Sequence, residues 1–344
     1  MHDNIRGQPG SLRAVTGYQF GEGAAALGEA ARLLRGAERI ILSGMGSSLF
    51  GCLPLETYFN KRGIPAVAID ASELLHYRYP ACGPGAVVVL VSRSGETVEA
   101  VKLLPKLKAS GAKVIGVTNE PGTTLHRESD HAIVVNSARD HLVAIQTYSG
   151  ALATLLLLGA ATCGESEDWE TSLRQAADAL SPFIEECLAA SESWRDMFGP
   201  ARAIYLLGRG ASLASAVEGA LLFHEAAKTP AVAMAGSHFR HGPVEVVDRE
   251  FRAVVFASQK QTAELDGALA KDLKRLGASV LTVGPYAEDA LTWAPSSVRG
   301  EELAPLFEIV PVQCAAMRLA GWKGFVPGEF RTAAAVTTTE TGFA

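Results

Sequence analysis

The sequence predicts an α/β protein built from two tandem, doubly wound parallel-sheet domains, and three observations predict it. Short apolar runs alternate with segments of helical period. Glycine or hydroxyl turns follow the strand-like runs, where a doubly wound sheet takes its ligands. The pattern also occurs twice. Gly44-Met45-Gly46-Ser47-Ser48 is matched by Gly208-Arg209-Gly210-Ala211-Ser212, Ser92 to Thr97 by Ser258 to Thr262, and Lys113 to Val117 by Ser279 to Val283. The offset is roughly 165 residues, too long for a solenoid repeat and suited to a duplicated domain.

The elements follow in order. The segment 1–30 is a helical lead-in with Gln8-Pro9-Gly10, after which Ala24, Leu27, Ala30, Leu33 and Leu34 share a helical face. Arg39 to Leu42 reads as a strand, Leu49 to Phe59 as a helix, and Pro65 to Asp70 as a second strand. Ala86 to Val91 is an unbroken apolar run, the mark of a buried parallel strand. A helix follows from Val98, then strands at Lys113 to Val117 and Ala132 to Val135 and an apolar helix at Val143 to Leu158. The acidic interruption Gly164 to Asp168 is the expected boundary, and Leu173 to Ala190 a linking helix. Strands then recur at Ala203 to Leu207, Ala253 to Ala257 and Ser279 to Val283. The expected division is 1–30, 31–163, 164–195, 196–325 and a tail, 326–344.

Composition narrows the function. In 344 residues, 48% are hydrophobic and 20% charged, so a sizeable core is expected. A net charge of −6 and a pI of about 5.8 argue against nucleic acid as a partner. The five cysteines form no C-x-x-C pair, which suits a reducing compartment, and the cytoplasm is expected. No secretory signal stands at Met1-His2-Asp3-Asn4. The longest apolar stretch, Ala151 to Ala161, is too short for a bilayer, so no membrane partner is expected.

Ser92-Arg93-Ser94-Gly95-Glu96-Thr97 lies at a strand-to-helix junction, where unpaired helical N–H groups and the helix dipole favour an anion. Its hydroxyls could cradle a phosphate or simply cap the helix, and the stretch alone leaves both open. The second copy has lost the glycine, so only the first is expected to bind an anion. The second copy instead carries Glu218, His224, Glu225, His238 and His241. Glu218 and Glu225 stand two turns apart on one helix face. They read either as solvated acids or, beside Leu221 and Leu222, as a semi-buried Glu225 with Glu218 bracing it. His224 reads as a surface residue and Arg209 as a solvated turn residue. His238 and His241 lack further ligands at metal spacing, so no metal is expected.

In this order and spacing, Gly46-Ser47-Ser48, Ala71-Ser72-Glu73, Ser92 to Thr97, Glu128-Ser129-Asp130, Glu218-Gly219-Ala220-Leu221, Glu225, His241-Gly242-Pro243, Pro305, Pro311 and Lys323-Gly324 resemble the sugar isomerase (SIS) domain family. The likeness is to the double-SIS isomerase half of glutamine–fructose-6-phosphate aminotransferases and its stand-alone relatives, and it covers nearly the whole chain. It implies two flavodoxin-like domains and a phosphorylated sugar or amino sugar as partner, with no cofactor. Ser92, Arg93, Ser94 and Thr97 would hold the phosphate. Gly46, Ser47, Ser48, Glu73 and Val143 would contact the substrate. Glu225 would shuttle the proton between C1 and C2. His241 would assist ring opening or protonate a leaving group, and in the family it typically comes from the partner subunit, so a homodimer is implied.

Departures from the family bear on the reaction. Leu222 and Ala335 stand where aminotransferase members carry lysines, and neither can act as an amine. No glutaminase segment is present in the sequence, so glutamine-dependent synthesis is not expected. Arg93 replaces a glutamine and His238 a glutamate. The expected activity is aldose–ketose isomerisation, or deamination or deglycation, through an enediol or enolamine. Two other classes were weighed. A non-catalytic sugar-phosphate sensor loses ground because Glu225 and His241 are both present. A dinucleotide-dependent dehydrogenase is suggested by Gly44-x-Gly46 and Asp70, but the third fingerprint glycine is replaced by Leu49.

Overall fold

The computed structural model describes residues 1–166, 168–294 and 300–341. Glu167 of the acidic interruption and residues 342–344 of the expected tail lie outside the described residues. Among the described residues, nine parallel strands form two sheets. The first holds β1 (Arg39–Gly44), β2 (Ala66–Asp70), β3 (Ala86–Val91), β4 (Lys113–Thr118) and β5 (His131–Val134), in the order β2-β1-β3-β4-β5. The second holds β6 (Ile204–Gly208), β7 (Ala231–Ala235), β8 (Arg252–Phe256) and β9 (Ser279–Val283), in the order β7-β6-β8-β9. Strand for strand, β6 to β9 repeat β1 to β4.

Two compact units carry these sheets. The five-strand unit comprises Gly10–Arg139, Gln146–Arg174 and Phe330–Ala344, and the four-strand unit Met1–Pro9, Asp140–Ile145 and Gln175–Glu329. In the five-strand unit, β3 lies between β1 and β4 with Val89 opposite Leu42 and Ile115, and all six of its residues are buried. Val88 and Leu90 pack with Leu74, Leu103, Leu104 and Leu107 on one face. Val87, Val89 and Val91 alternate onto the other. Each such aliphatic side chain contributes about 1.5–3 kcal/mol when fully buried.

One edge of this sheet, β2, is partly covered. On β2, the Ala68 N–H donates to Glu56 Oε1 (2.9 Å) and the Ala66 carbonyl accepts from Asn60 Nδ2 (2.9 Å). Both side chains come from the helix Leu53–Asn60, and only Val67 stands out, at 43% exposure.

Several expected boundaries are corrected. The helix expected from Val143 runs Gln146–Cys163, and Val143 lies in the preceding turn, where Asp140 Oδ2 accepts the Ile145 N–H at 2.9 Å. Val143 and Ile145 are buried without being helical, so their apolarity mimicked a helix start. The helix expected over Leu49 to Phe59 is broken at Gly51-Cys52. The lead-in contains a helix, His2–Phe20, that passes through Pro9. Proline leaves the carbonyl four residues back without its N–H, and Gln8 Nε2 donates to that carbonyl, Ile5, at 3.2 Å. Among the described residues one helical stretch, Glu301–Trp322, is long and apolar enough to cross a membrane, and 94% of it is buried inside the protein, as a core helix is.

Candidate functional site

The loop 92–97 joins β3 to the helix Val98–Ser110. Thr97 is the N-cap residue, yet its side chain makes no capping hydrogen bond. Its hydroxyl lies 2.8 Å from that of Ser92 instead. The Gly95 N–H donates to Ser92 Oγ (3.1 Å) and the Glu96 N–H to Ser94 Oγ (3.2 Å). These three hydroxyls therefore shape the loop rather than cap the helix. Neighbouring backbone clamps it: the Asn119 N–H donates to the Arg93 carbonyl (3.1 Å) and the Leu125 N–H to the Gly95 carbonyl (3.0 Å). Gly95 has φ +66°, and a Cβ there would lie 2.0 Å from Thr123 Oγ1, so only glycine fits. Ser92 is buried, whereas Arg93, Ser94 and Thr97 are half-buried.

The glycine turn after β1 lies in the same unit. Gly46, at φ +53°, precedes the short helix Ser47–Phe50, and Ser47 and Ser48 are half-buried in its first turn. After β2, Asp70 accepts the Ser72 and Glu73 N–H groups at 2.8 and 3.2 Å, leaving Glu73 exposed. The chain's last described segment also packs on this unit. Arg93 Nη2 donates to the Ala335 carbonyl (2.9 Å), and the Val98 N–H to the Thr337 carbonyl (3.1 Å). Glu340 is held by Lys102 and by His76 Nε2 at 2.7 Å. The hydrogen bonds from Lys102, first, and His76 hold its carboxyl below the ordinary carboxylate value.

The four-strand unit holds the remaining candidates. Glu225 is the last residue of the helix Ser212–Glu225 and is half-buried. Glu218 and Leu222, on the same helix, are buried at 1% and 0% exposure. His241 follows the short helix Gly236–Arg240 and is exposed, as is His238. His224 is exposed, and its Nε2 accepts the Ala231 N–H at 3.0 Å. Val143 belongs to this unit and is buried at 4% exposure.

Arg209 departs from the solvated turn residue expected of it. Its side chain is 12% exposed and its Nε donates to Asp266 Oδ1 at 2.7 Å. The partner lies 57 residues away in sequence, beyond the reach of any local pattern. Sequence reasoning also missed Lys228. At φ +49° it turns its ammonium onto the Glu225 carbonyl (2.6 Å) and the Glu329 carbonyl, binding the end of the Glu225 helix. A lysine three residues past a helical carboxylate was the available signal. Among the described residues, no group of three or more His, Cys, Asp or Glu side chains is placed to hold a metal ion.

Comparison with known proteins accounts for the repeat. The chain is 30% identical over 336 residues to the glutamine–fructose-6-phosphate aminotransferase (isomerizing) of Aeropyrum pernix, covering 92% of this chain and 53% of that one. It spans about half the length of the curated relatives it matches. Among solved structures, tagatose-6-phosphate ketose/aldose isomerase from Escherichia coli superposes with a TM-score of 0.81 at 23% identity, over 95% of this chain and 93% of that one. Glucosamine-6-phosphate deaminase from Thermotoga maritima gives 0.78 at 22%, over 97% and 98%. The SIS domain family matches residues 33–163 and again 197–320, one match on each parallel sheet. Two sheets of one topology, each under its own SIS match, place this chain in the SIS domain family.

Proposed function

We propose that the chain is an enzyme that moves a proton between C1 and C2 of a phosphorylated sugar or amino sugar, as an aldose–ketose isomerase or a deaminase or deglycase. The loop 92–97 carries this reading: its hydroxyls are not used to cap the helix, and Gly95, at φ +66°, gives the chain the turn that keeps them in one loop with Arg93. Ser92, Ser94 and Thr97 would take the phosphate, with the Arg93 guanidinium supplying charge. Ser47 and Ser48 would steady the sugar or its phosphate. The dianionic group is then the remote handle whose binding energy positions the reacting carbons.

Isomerisation and C–N cleavage begin alike, with proton abstraction next to a carbonyl or imine. In this reading Glu225 is the base and returns the proton to the neighbouring carbon, while His241 protonates the ring oxygen or the departing nitrogen. Glu225 is half-buried at the end of its helix, a placement that suits a carboxylate meeting a bound substrate. Leu222 is buried and aliphatic, and Ala335 offers only its carbonyl, so neither supplies the amine of a Schiff base. We therefore propose that glutamine-dependent amidotransfer is not this chain's reaction. His241 stands exposed, and we propose that a homodimer sets it against a second copy.

One screen of sugar phosphates and their amine adducts, assayed for ketose, ammonia and free amino acid, tests the reading. Glu225→Gln and His241→Ala should each lower turnover by about 10²–10⁴-fold and leave sugar-phosphate binding, followed by thermal shift, nearly unchanged. Full turnover in either variant would sink its assignment. Saturable binding without any product would favour a sensor.

A further inference from the structure

The two glycine turns are built alike. Gly46 after β1 and Gly210 after β6 both have φ +53°, a value that glycine alone adopts freely. What faces the turns differs between the copies. In the four-strand unit, Ser212 Oγ donates to Glu308 Oε1 (2.6 Å), and Ser215 Oγ donates to Glu308 Oε2 (2.5 Å). Ser212 is the first residue of its helix, so the carboxylate lies at a helix start. The second loop joins the same network. Gln259, in the place of Arg93, donates Nε2 to Ser212 Oγ and to the Glu301 carbonyl, each at 3.1 Å. The Lys260 N–H, in the place of Ser94, donates to Glu301 Oε1 at 2.7 Å. Thr262, in the place of Thr97, donates to Asp266 Oδ2 at 2.8 Å.

Glu308 has 0% exposure. Burial pushes its carboxyl above the ordinary value, and the Ser212 and Ser215 hydroxyls pull it back. A carboxylate so deeply buried requires compensation, and here each oxygen accepts a hydroxyl hydrogen. The first copy has no such group at the corresponding place. The helices Gln146–Cys163 and Pro305–Trp322 each have 18 residues and each follows the last strand of its sheet. The fourth residue is Glu308 in the second helix and the uncharged Ser149 in the first.

We propose that the turn after β6, braced by the second loop through Gln259, is an anion site permanently occupied by the chain's own carboxylate, Glu308, with Glu301 closing the loop amide beside it. Loss of the Glu308 side chain would leave a cavity suited to a small carboxylate such as formate. The second copy thus keeps the geometry of a ligand turn and uses it to join the helix Pro305–Trp322 to the turn after β6. The comparison rests on the first loop being an anion cradle, but the test involves the second copy alone. Its failure is therefore distinct from failure of the proposed enzymatic function.

The test is thermal melting of full-length Glu308→Ala at pH 7 in sodium formate and in sodium chloride of equal ionic strength. In chloride the variant should melt roughly 4–10 °C below the wild type. Formate should restore at least half of that loss and leave the wild type unmoved. An unchanged melting temperature in chloride, or equal melting in the two salts, would overturn the proposal. Should Glu308→Ala fail to fold in both salts, Glu308→Gln decides. Its amide has one acceptor oxygen and leaves one serine without an acceptor, so it should melt below the wild type, and wild-type stability would overturn the proposal.

Discussion

Thr97 precedes the first turn of the Val98–Ser110 helix, yet its hydroxyl pairs with Ser92 and leaves the Val98 N–H to a carbonyl of the tail, Thr337. In the sequence, cap and cradle were indistinguishable because both use small hydroxyl residues at the same place. The hydrogen-bond partners show only that Thr97 is not a side-chain cap. Arg93 was legible as a charge beside the loop, but not as a tie to the Ala335 carbonyl, 242 residues on. In the proposed reading it also meets the phosphate, and its substitution should report both. Arg93→Gln is expected to weaken binding of the sugar phosphate by about 10-fold or more, the scale of one charge-assisted hydrogen bond. It should also speed hydrogen exchange in residues 333–337. Affinity unchanged across phosphorylated, sulfonated and carboxylated sugars would remove Arg93 from ligand binding. Arg209 shows the opposite failure of local reading: a turn arginine is ordinarily solvated, and the buried Asp266 that holds it is distant in sequence.

At the scale of elements, strands were the most legible. Ala86–Val91 announces itself because a strand covered on both faces must be apolar throughout. The helical lead-in was legible, but not that its first helix, His2–Phe20, runs through Pro9, whose missing N–H is offset by a side chain that no periodicity reveals. The segment 330–341 has no apolar period either; side chains and carbonyls hold it on the five-strand unit. Glu340 is its clasp. Because the folded carboxyl titrates below its unfolded value, the clasp is complete above the unfolded pKa and is lost as the pH falls through the lowered one. Exchange of the Val98 amide, which donates to Thr337, reports on it. Glu340→Gln should lower the protection of that amide at neutral pH, and the wild type should lose the same protection as the pH falls through the lowered value. Equal rates in both proteins at pH 7 would show that Glu340 does not hold the segment.

On the scale of the whole molecule, the duplication read from the sequence is visible as strand orders β2-β1-β3-β4 and β7-β6-β8-β9. β5 extends only the first sheet, and it is the strand expected over Ala132 to Val135. If a homodimer exchanges His241 between subunits, two inactive variants should complement. Glu225→Gln and His241→Ala chains, unfolded together and refolded, should recover about a quarter of wild-type activity, because half the dimers carry one intact site. Separately refolded controls should stay inactive, and no recovery in the mixture would place both residues in one subunit's site. The edge of the first sheet has a consequence of another kind. An exposed parallel strand invites another chain to add to it and begin a fibre. With the Ala68 amide on Glu56 and the Ala66 carbonyl on Asn60, two of the groups that β2 would turn toward a newcomer are already taken by the protein's own side chains.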